Sequence, residues 1–170
     1  MATREPGRAR RRSPDRRREY VLPRLAEGDR PAVLLPDDPG TLAAEYAALD
    51  GPKPLVVAAD GPVPDGIEAR TVAERTVPAV GEAGLAALAE GADRLWLAAP
   101  ATALAGDVQG AYRLLYVLTQ RVRERGARAW FSLGPDADAR TRRILGRAVD
   151  DVVTPDGEEP TVGTRAVEGA

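Results

Sequence analysis

The feature that most narrows what this chain can fold into is a set of short apolar runs, Ala32 to Pro36, Leu55 to Ala59, Arg94 to Ala98 and Ala127 to Leu133, separated by segments with helical spacing. The runs are continuous rather than alternating, which is the pattern of strands covered on both faces. They predict a three-layer α/β/α domain with a mainly parallel sheet. At 170 residues the chain is long enough to bury about 70% of its unfolded surface in one core.

The intervening segments read as helices with definable ends. The first is predicted over Thr41 to Leu49, with Leu42, Tyr46 and Leu49 at helical spacing, Asp38 as cap and Pro39 in the first turn. The second runs over Val80 to Ala89 and stops at Gly91. The longest, Val108 to Arg125, is capped by Asp107; Val108, Ala111, Tyr112, Leu115, Leu118 and Val122 form one face, opposite Gln109, Arg113, Gln120 and Glu124. Leu114 and Val117 widen that apolar stripe. Asp138 caps a helix through Val149, with Ile144, Leu145 and Ala148 inward and Arg140, Arg143 and Arg147 outward. Ala69 to Val77 is expected to add a short edge strand, and Asp151 to Thr154 a last one.

Charge divides the chain. Residues 1 to 19 hold eight arginines against Glu5, Asp15 and Glu19, a balance of +5, while residues 20 to 170 hold 16 basic and 23 acidic residues, a balance of −7. The arm has too little apolar content to offset the entropy of ordering itself, and residues 1–19 are read as a disordered basic arm. Residues 20–155 form the domain, and 156–170, rich in Gly, Pro, Thr and Glu, a flexible acidic tail. A basic arm of this kind binds nucleic acid through phosphates and counterion release, or is simply a solvated tail. No apolar run approaches the roughly 20 residues of a membrane helix. The paired arginines are not followed by the apolar segment of a twin-arginine export signal. The expectation is a cytoplasmic protein with no membrane association.

The chain has neither cysteine nor histidine, which excludes disulfides, thiolate nucleophiles, imidazole bases and sulfur- or nitrogen-ligated zinc. Strand ends are where a parallel α/β fold places ligands. After the first strand, Pro36-Asp37-Asp38-Pro39-Gly40-Thr41 has one glycine, no lysine and two carboxylates, the opposite of a phosphate-binding turn. Asp37 and Asp38 have the oxygen ligands a hard cation needs, yet an N-cap and a solvated turn residue account for them more readily, and no metal is assigned. Leu95 to Pro100 lacks the magnesium-binding acid of an active nucleotide hydrolase. Ser132 stands near Asp136 without a base to activate it. Between residues 121 and 147, eight arginines (Arg121, Arg123, Arg125, Arg128, Arg140, Arg142, Arg143 and Arg147) face only Glu124, Asp136 and Asp138; their alternating directions argue against a single anion-binding patch. No catalytic, cofactor-binding or metal-binding residue is assigned, and no cofactor is expected.

The stretch Ala111-Tyr112-Arg113-Leu114-Leu115-Tyr116-Val117-Leu118-Thr119-Gln120-Arg121-Val122-Arg123, followed by Gly126-Ala127 and by Leu133-Gly134-Pro135-Asp136-Ala137, resembles a haloarchaeal family of RecA/KaiC-like domain proteins. In that family an RFLHVLTGR helix leads into a strand ending in an HYHLDP-like segment, then a helix and a final VV strand, as Val152-Val153 here. The match spans residues 106 to 154, and the remainder agrees in element order only. Tyr116 stands in place of the usual histidine, Gln120 in place of the glycine, and Trp130 to Pro135 in place of the histidine-bearing strand end, so no functional residue is carried over. The resemblance implies a RecA-like core that has lost its nucleotide-binding machinery, without a Walker A loop.

The expectation is therefore a non-catalytic regulatory or protein-interaction module with a protein partner. Two alternatives stand beside it: a nucleic-acid-associated protein using the arginine-rich arm, and an enzyme relying on carboxylates such as Asp37, Asp38 or Asp60. If the arm is the binding element, deleting it abolishes salt-sensitive nucleic-acid binding in a filter or anisotropy assay; unchanged binding defeats that alternative.

Overall fold

The computed structural model describes residues 16–36, 39–59, 63, 65–133, 137–153 and 161–165. In chain order the elements are α1 (Arg16–Ala26), β1 (Pro31–Leu34), α2 (Pro39–Ala47), β2 (Leu55–Ala58), β3 (Ala69–Thr71), α3 (Val77–Ala89), β4 (Arg94–Leu97), α4 (Ala101–Ala105), α5 (Val108–Arg125), β5 (Arg128–Ser132), α6 (Ala139–Gly146), β6 (Asp151–Val153) and β7 (Thr161–Arg165). They form one sheet of order β3-β2-β1-β4-β5-β7-β6. The first five strands pair in parallel. The chain winds outward from β1 to β3, then returns to start β4 on the other side of β1, so the order reverses between β1 and β4, as in doubly wound sheets.

Two-sided burial is visible in the strand residues. Leu95, Leu97, Ala129 and Phe131 face one layer, against Val80 and Leu88 of α3 and Leu115, Leu118 and Val122 of α5. Val33, Val56, Trp96 and Trp130 face the other, against Val21, Leu22 and Leu25 of α1 and Leu42 and Tyr46 of α2. Trp96 and Trp130 are register partners on β4 and β5 and lie side by side on that second face. This confirms the three-layer α/β/α architecture. On the first face α3 and α5 pack closely because Gly84 is small: a Cβ there would stand 2.9 Å from Leu118 Cδ2 and 3.2 Å from Leu34 Cδ1.

Helix ends follow local chemistry. Asp107 Oδ1 accepts the Gly110 N–H at 2.6 Å and Asp138 Oδ1 the Thr141 N–H at 2.7 Å. α3 starts at Val77 instead of Val80, because Thr76 caps it at 3.3 Å from the Ala79 nitrogen and Pro78 fits the first turn. α5 spans Val108–Arg125 as expected and ends at Gly126 with φ 66°. β3 is shorter than its predicted range, and α4, hidden among alanines after Pro100, was not anticipated.

Both chain ends require correction. Residues 16–19, assigned to the basic arm, form the first turn of α1. The arginine run and Pro23 within the helix obscure this element, yet Val21, Leu22 and Leu25 share a buried face, and Arg24 lies 3.7 Å over the Tyr20 ring. Arg18 also pairs with Glu45 of α2 at 3.5 Å, so a deletion aimed at the arm alone should stop at residue 15; residues 1–15 lie outside the described part. In the segment assigned as acidic tail, Thr161–Arg165 returns as β7, antiparallel to both β5 and β6. The physical reason is the edge of β5: a deeply buried strand with one side unpaired leaves its N–H and C=O groups without partners, and Thr161, Val162 and Thr164 suit a strand. β6 takes the outer edge, as expected of Asp151 to Thr154. Residues 154–160 and 166–170 lie outside the description.

At the amino ends of the strands, Asp93 ties three segments together. Its Oδ2 and Oδ1 accept the N–H groups of Asp29 and Arg30, both at 2.8 Å. Its own N–H donates to the Arg30 carbonyl, and its carbonyl accepts from Arg128 N–H, so the starts of β1, β4 and β5 are joined through one residue. Replacing Asp93 with alanine removes two charge-assisted bonds, and we expect a loss of about 2–3 kcal/mol in urea unfolding. Asp93→Asn, which keeps one carbonyl acceptor, should lose less than Asp93→Ala.

Candidate functional site

The carboxyl edge of the sheet, where the strand order reverses, is the first place to look. Directly after β1, Leu35 adopts φ 50°, the sole non-glycine residue with positive φ among the described residues. Its N–H donates to the Val57 carbonyl at 2.8 Å, and its side chain is buried. The left-handed conformation costs roughly 1–2 kcal/mol, while burying a leucine returns about 1.5–3 kcal/mol. Packing therefore holds the chain in this turn, which directs an apolar side chain inward at the point where a nucleotide fold brings bare backbone toward phosphate. Pro36 is buried as well, and α2 begins at Pro39, which has no N–H. Asp37, Asp38 and Asp60 lie outside the described residues.

The next strand ends are closed by apolar packing. Ala99 and Ala101 are buried after β4. The Thr102 hydroxyl of α4 donates to the Leu133 carbonyl at 2.8 Å, latching α4 across the end of β5. Ser132 is fully buried, and its hydroxyl has no hydrogen-bond partner among the described residues. By strand alternation it shares the face of Trp130. Asp136 lies outside the description, so the pairing of Ser132 with a carboxylate is not part of this picture. The buried Tyr46 phenol, pushed up to about 12 by burial and then by the negative charge of Asp93, stays neutral and is no base at ordinary pH. No group of three or more potential metal ligands occurs among the described residues.

A concavity lies elsewhere, between α5 and α6. This groove of about 770 Å³ has Val108, Tyr112 and Ile144 as its apolar part and Arg113, Arg140 and Arg147 as its charged part. Consecutive crossovers explain the placement: α5 leads into β5 and α6 leaves it, and both helices cover the same face of the sheet. Along α5, Tyr112 and Tyr116 are one turn apart and their rings stack with centroids 6.1 Å apart. Tyr116 and the neighbouring Val117 are about half exposed, at 47% and 46%. Asp138 also lines the groove; its Oδ1 serves the α6 cap, and that backbone hydrogen bond from Thr141, with a smaller contribution from the Arg140 charge, holds its carboxyl below the usual aspartate range.

The structure therefore sorts the arginine-rich segment. Arg121 pairs with Glu124 at 3.1 Å and Arg123 with Asp150. Arg140 and Arg147 instead line the groove, joined by Arg113, which helical spacing puts mainly opposite the apolar face of α5. Among the described residues, none of these three makes an ion pair. The eight arginines do not form one patch, in keeping with their alternating directions. Arg113 was legible in principle: Gln109 and Arg113 are four apart on α5, on the side that a helix following β5 would flank.

A second, smaller concavity of about 360 Å³ at the amino edge contains Arg30, Lys53, Glu68, Arg70 and Glu90. Its charges are largely satisfied. Arg70 pairs with Glu90 and lies 3.5 Å from Glu68; the hydrogen bond between Arg70 and Glu90 holds the Glu90 carboxyl below its ordinary value. Arg30 donates to the Glu90 carbonyl at 3.0 Å. This cluster fastens β3 and the start of β1 to the end of α3.

No protein-family model matches the chain, and no curated protein matches it either.

The Asp138 cap gives a pH signature. Its folded-state carboxyl titrates below the unfolded one, so its contribution is present above the unfolded value of about 4 and is lost as pH falls through the lower folded value. Asp138→Asn retains a neutral cap. We expect wild type to be the more stable above about pH 4 and the difference to vanish under more acidic conditions, read from denaturant midpoints across pH.

Proposed function

We propose that this chain is a non-catalytic regulatory or protein-interaction module of the cytoplasm, with the α5–α6 groove as its working surface. It would be built on a degenerate core of the kind that the RecA/KaiC-like resemblance implies. The observation that carries the reading is the convergence of Arg113, Arg140 and Arg147, with no close ion pair among the described residues, on one groove that Val108, Tyr112 and Ile144 also line. Guanidinium groups gathered in one groove, with half-exposed Tyr116 stacked on the lining residue Tyr112, are typical of binding surfaces, where arginine and aromatic residues are enriched and exposed apolar area persists. Support against nucleotide chemistry comes from the Pro36 to Thr41 turn, which lacks the lysine and glycines of a phosphate loop. No helix among the described residues is long and apolar enough to cross a membrane.

Two measurements test the proposal. A photo-crosslinking amino acid in place of Tyr116, in the full chain expressed in its source cells, should form a discrete adduct with a second polypeptide, whereas the same probe at the exposed Arg75 should not. Calorimetry with MgATP should show no binding at micromolar concentrations. Absence of an adduct, or tight magnesium-dependent ATP binding, would overturn the reading.

A further inference from the structure

We infer that the α5–α6 groove is built for an acidic peptide segment carrying an apolar anchor residue. The inference rests on the interaction-module reading and specifies the chemistry of the partner. Among the described residues, three guanidinium groups line the groove with a single carboxylate, that of Asp138, whose Oδ1 caps α6 and whose charge also acts on Arg140. One carboxylate does not balance three guanidinium groups, and a further carboxylate matches the planar fork of arginine.

The choice of a peptide over a nucleic-acid strand follows from the lining. Residues 121 to 147 hold eight arginines against three carboxylates, so charge alone would draw any polyanion, and the apolar lining residues decide between them. A short segment places its carboxylates on Arg113, Arg140 and Arg147 and ends there. Val108, Tyr112 and Ile144 give the same groove an apolar part, suited to one leucine or phenylalanine side chain. The volume, about 770 Å³, is within the range of roughly 300–1,000 Å³ of sites that enclose a compact ligand. Charge sets the approach and the apolar contact sets the residence, the usual division of labour at mixed interfaces.

The experiment is fluorescence anisotropy with the full chain and three labelled probes: a decapeptide of glutamate and leucine with one central phenylalanine, the same peptide with lysine in place of glutamate, and an oligothymidylate strand of matching charge. The acidic peptide should bind, and the lysine peptide should not. Combined replacement Arg113→Glu, Arg140→Glu and Arg147→Glu should weaken acidic-peptide binding by about tenfold or more, each tenfold corresponding to about 1.4 kcal/mol. The control Arg142→Glu with Arg143→Glu alters the same helix by two exposed charges outside the groove lining, and should change affinity less than about twofold. Unaltered melting curves show that each variant folds. Failure of the acidic peptide to bind, equal losses in both sets of variants, or preference for the oligothymidylate would each overturn the inference. An adduct at Tyr116 without acidic-peptide binding overturns the peptide chemistry and leaves the interaction module standing; absence of both overturns the two together.

Discussion

Everything in this structure depends on a parallel sheet that must be covered twice. Each central strand sends side chains to both faces, so neither helical layer is optional. Leu95, Leu97 and Phe131 require α3 and α5; Trp96 and Trp130 require α1 and α2. Fully burying a large apolar side chain is worth about 1.5–3 kcal/mol, and the paired tryptophans put two such side chains on the face that α1 covers. That demand explains why an arginine-rich, proline-interrupted stretch such as Arg16–Ala26 is helical at all. Tertiary packing of Val21, Leu22 and Leu25 outweighs weak local propensity.

The same constraint fixes what the ends of the strands can do. In a doubly wound sheet the carboxyl edge at the reversal of strand order is the usual ligand crevice. Here Leu35 turns into the core in a left-handed conformation, and α4 is latched to the end of β5 by Thr102. The larger of the two concavities described lies away from that crevice, between two helices of one layer. The groove owes its charge to helix periodicity and its position to the α5–β5–α6 order of the chain.

The two concavities show how similar composition leads to different chemistry. At the amino edge, Arg70 and Arg30 meet carboxylate or carbonyl oxygens and act as fasteners. In the α5–α6 groove, Arg113, Arg140 and Arg147 converge without a close ion pair among the described residues, and the one carboxylate of the lining, Asp138, caps α6 while attracting Arg140. Arginine content alone does not separate these cases; the location of each opposing carboxylate does.

Continuous apolar runs, capping aspartates and helix-stopping glycines are local signals, and by itself the sequence determined the α/β class, the core strands and α5 from Val108 to Arg125 with its Asp107 cap. It also showed that the Pro36 to Thr41 turn has the wrong chemistry for phosphate. Tertiary structure alone decided the fate of Arg16–Ala26 and Thr161–Arg165, because their reasons to order lie in distant partners: the Trp96 and Trp130 face for one, the open edge of β5 for the other. It likewise decided which arginines are spent and which face a groove, since Arg113 and Arg147 are 34 positions apart in sequence and meet only when α5 and α6 settle side by side on the sheet.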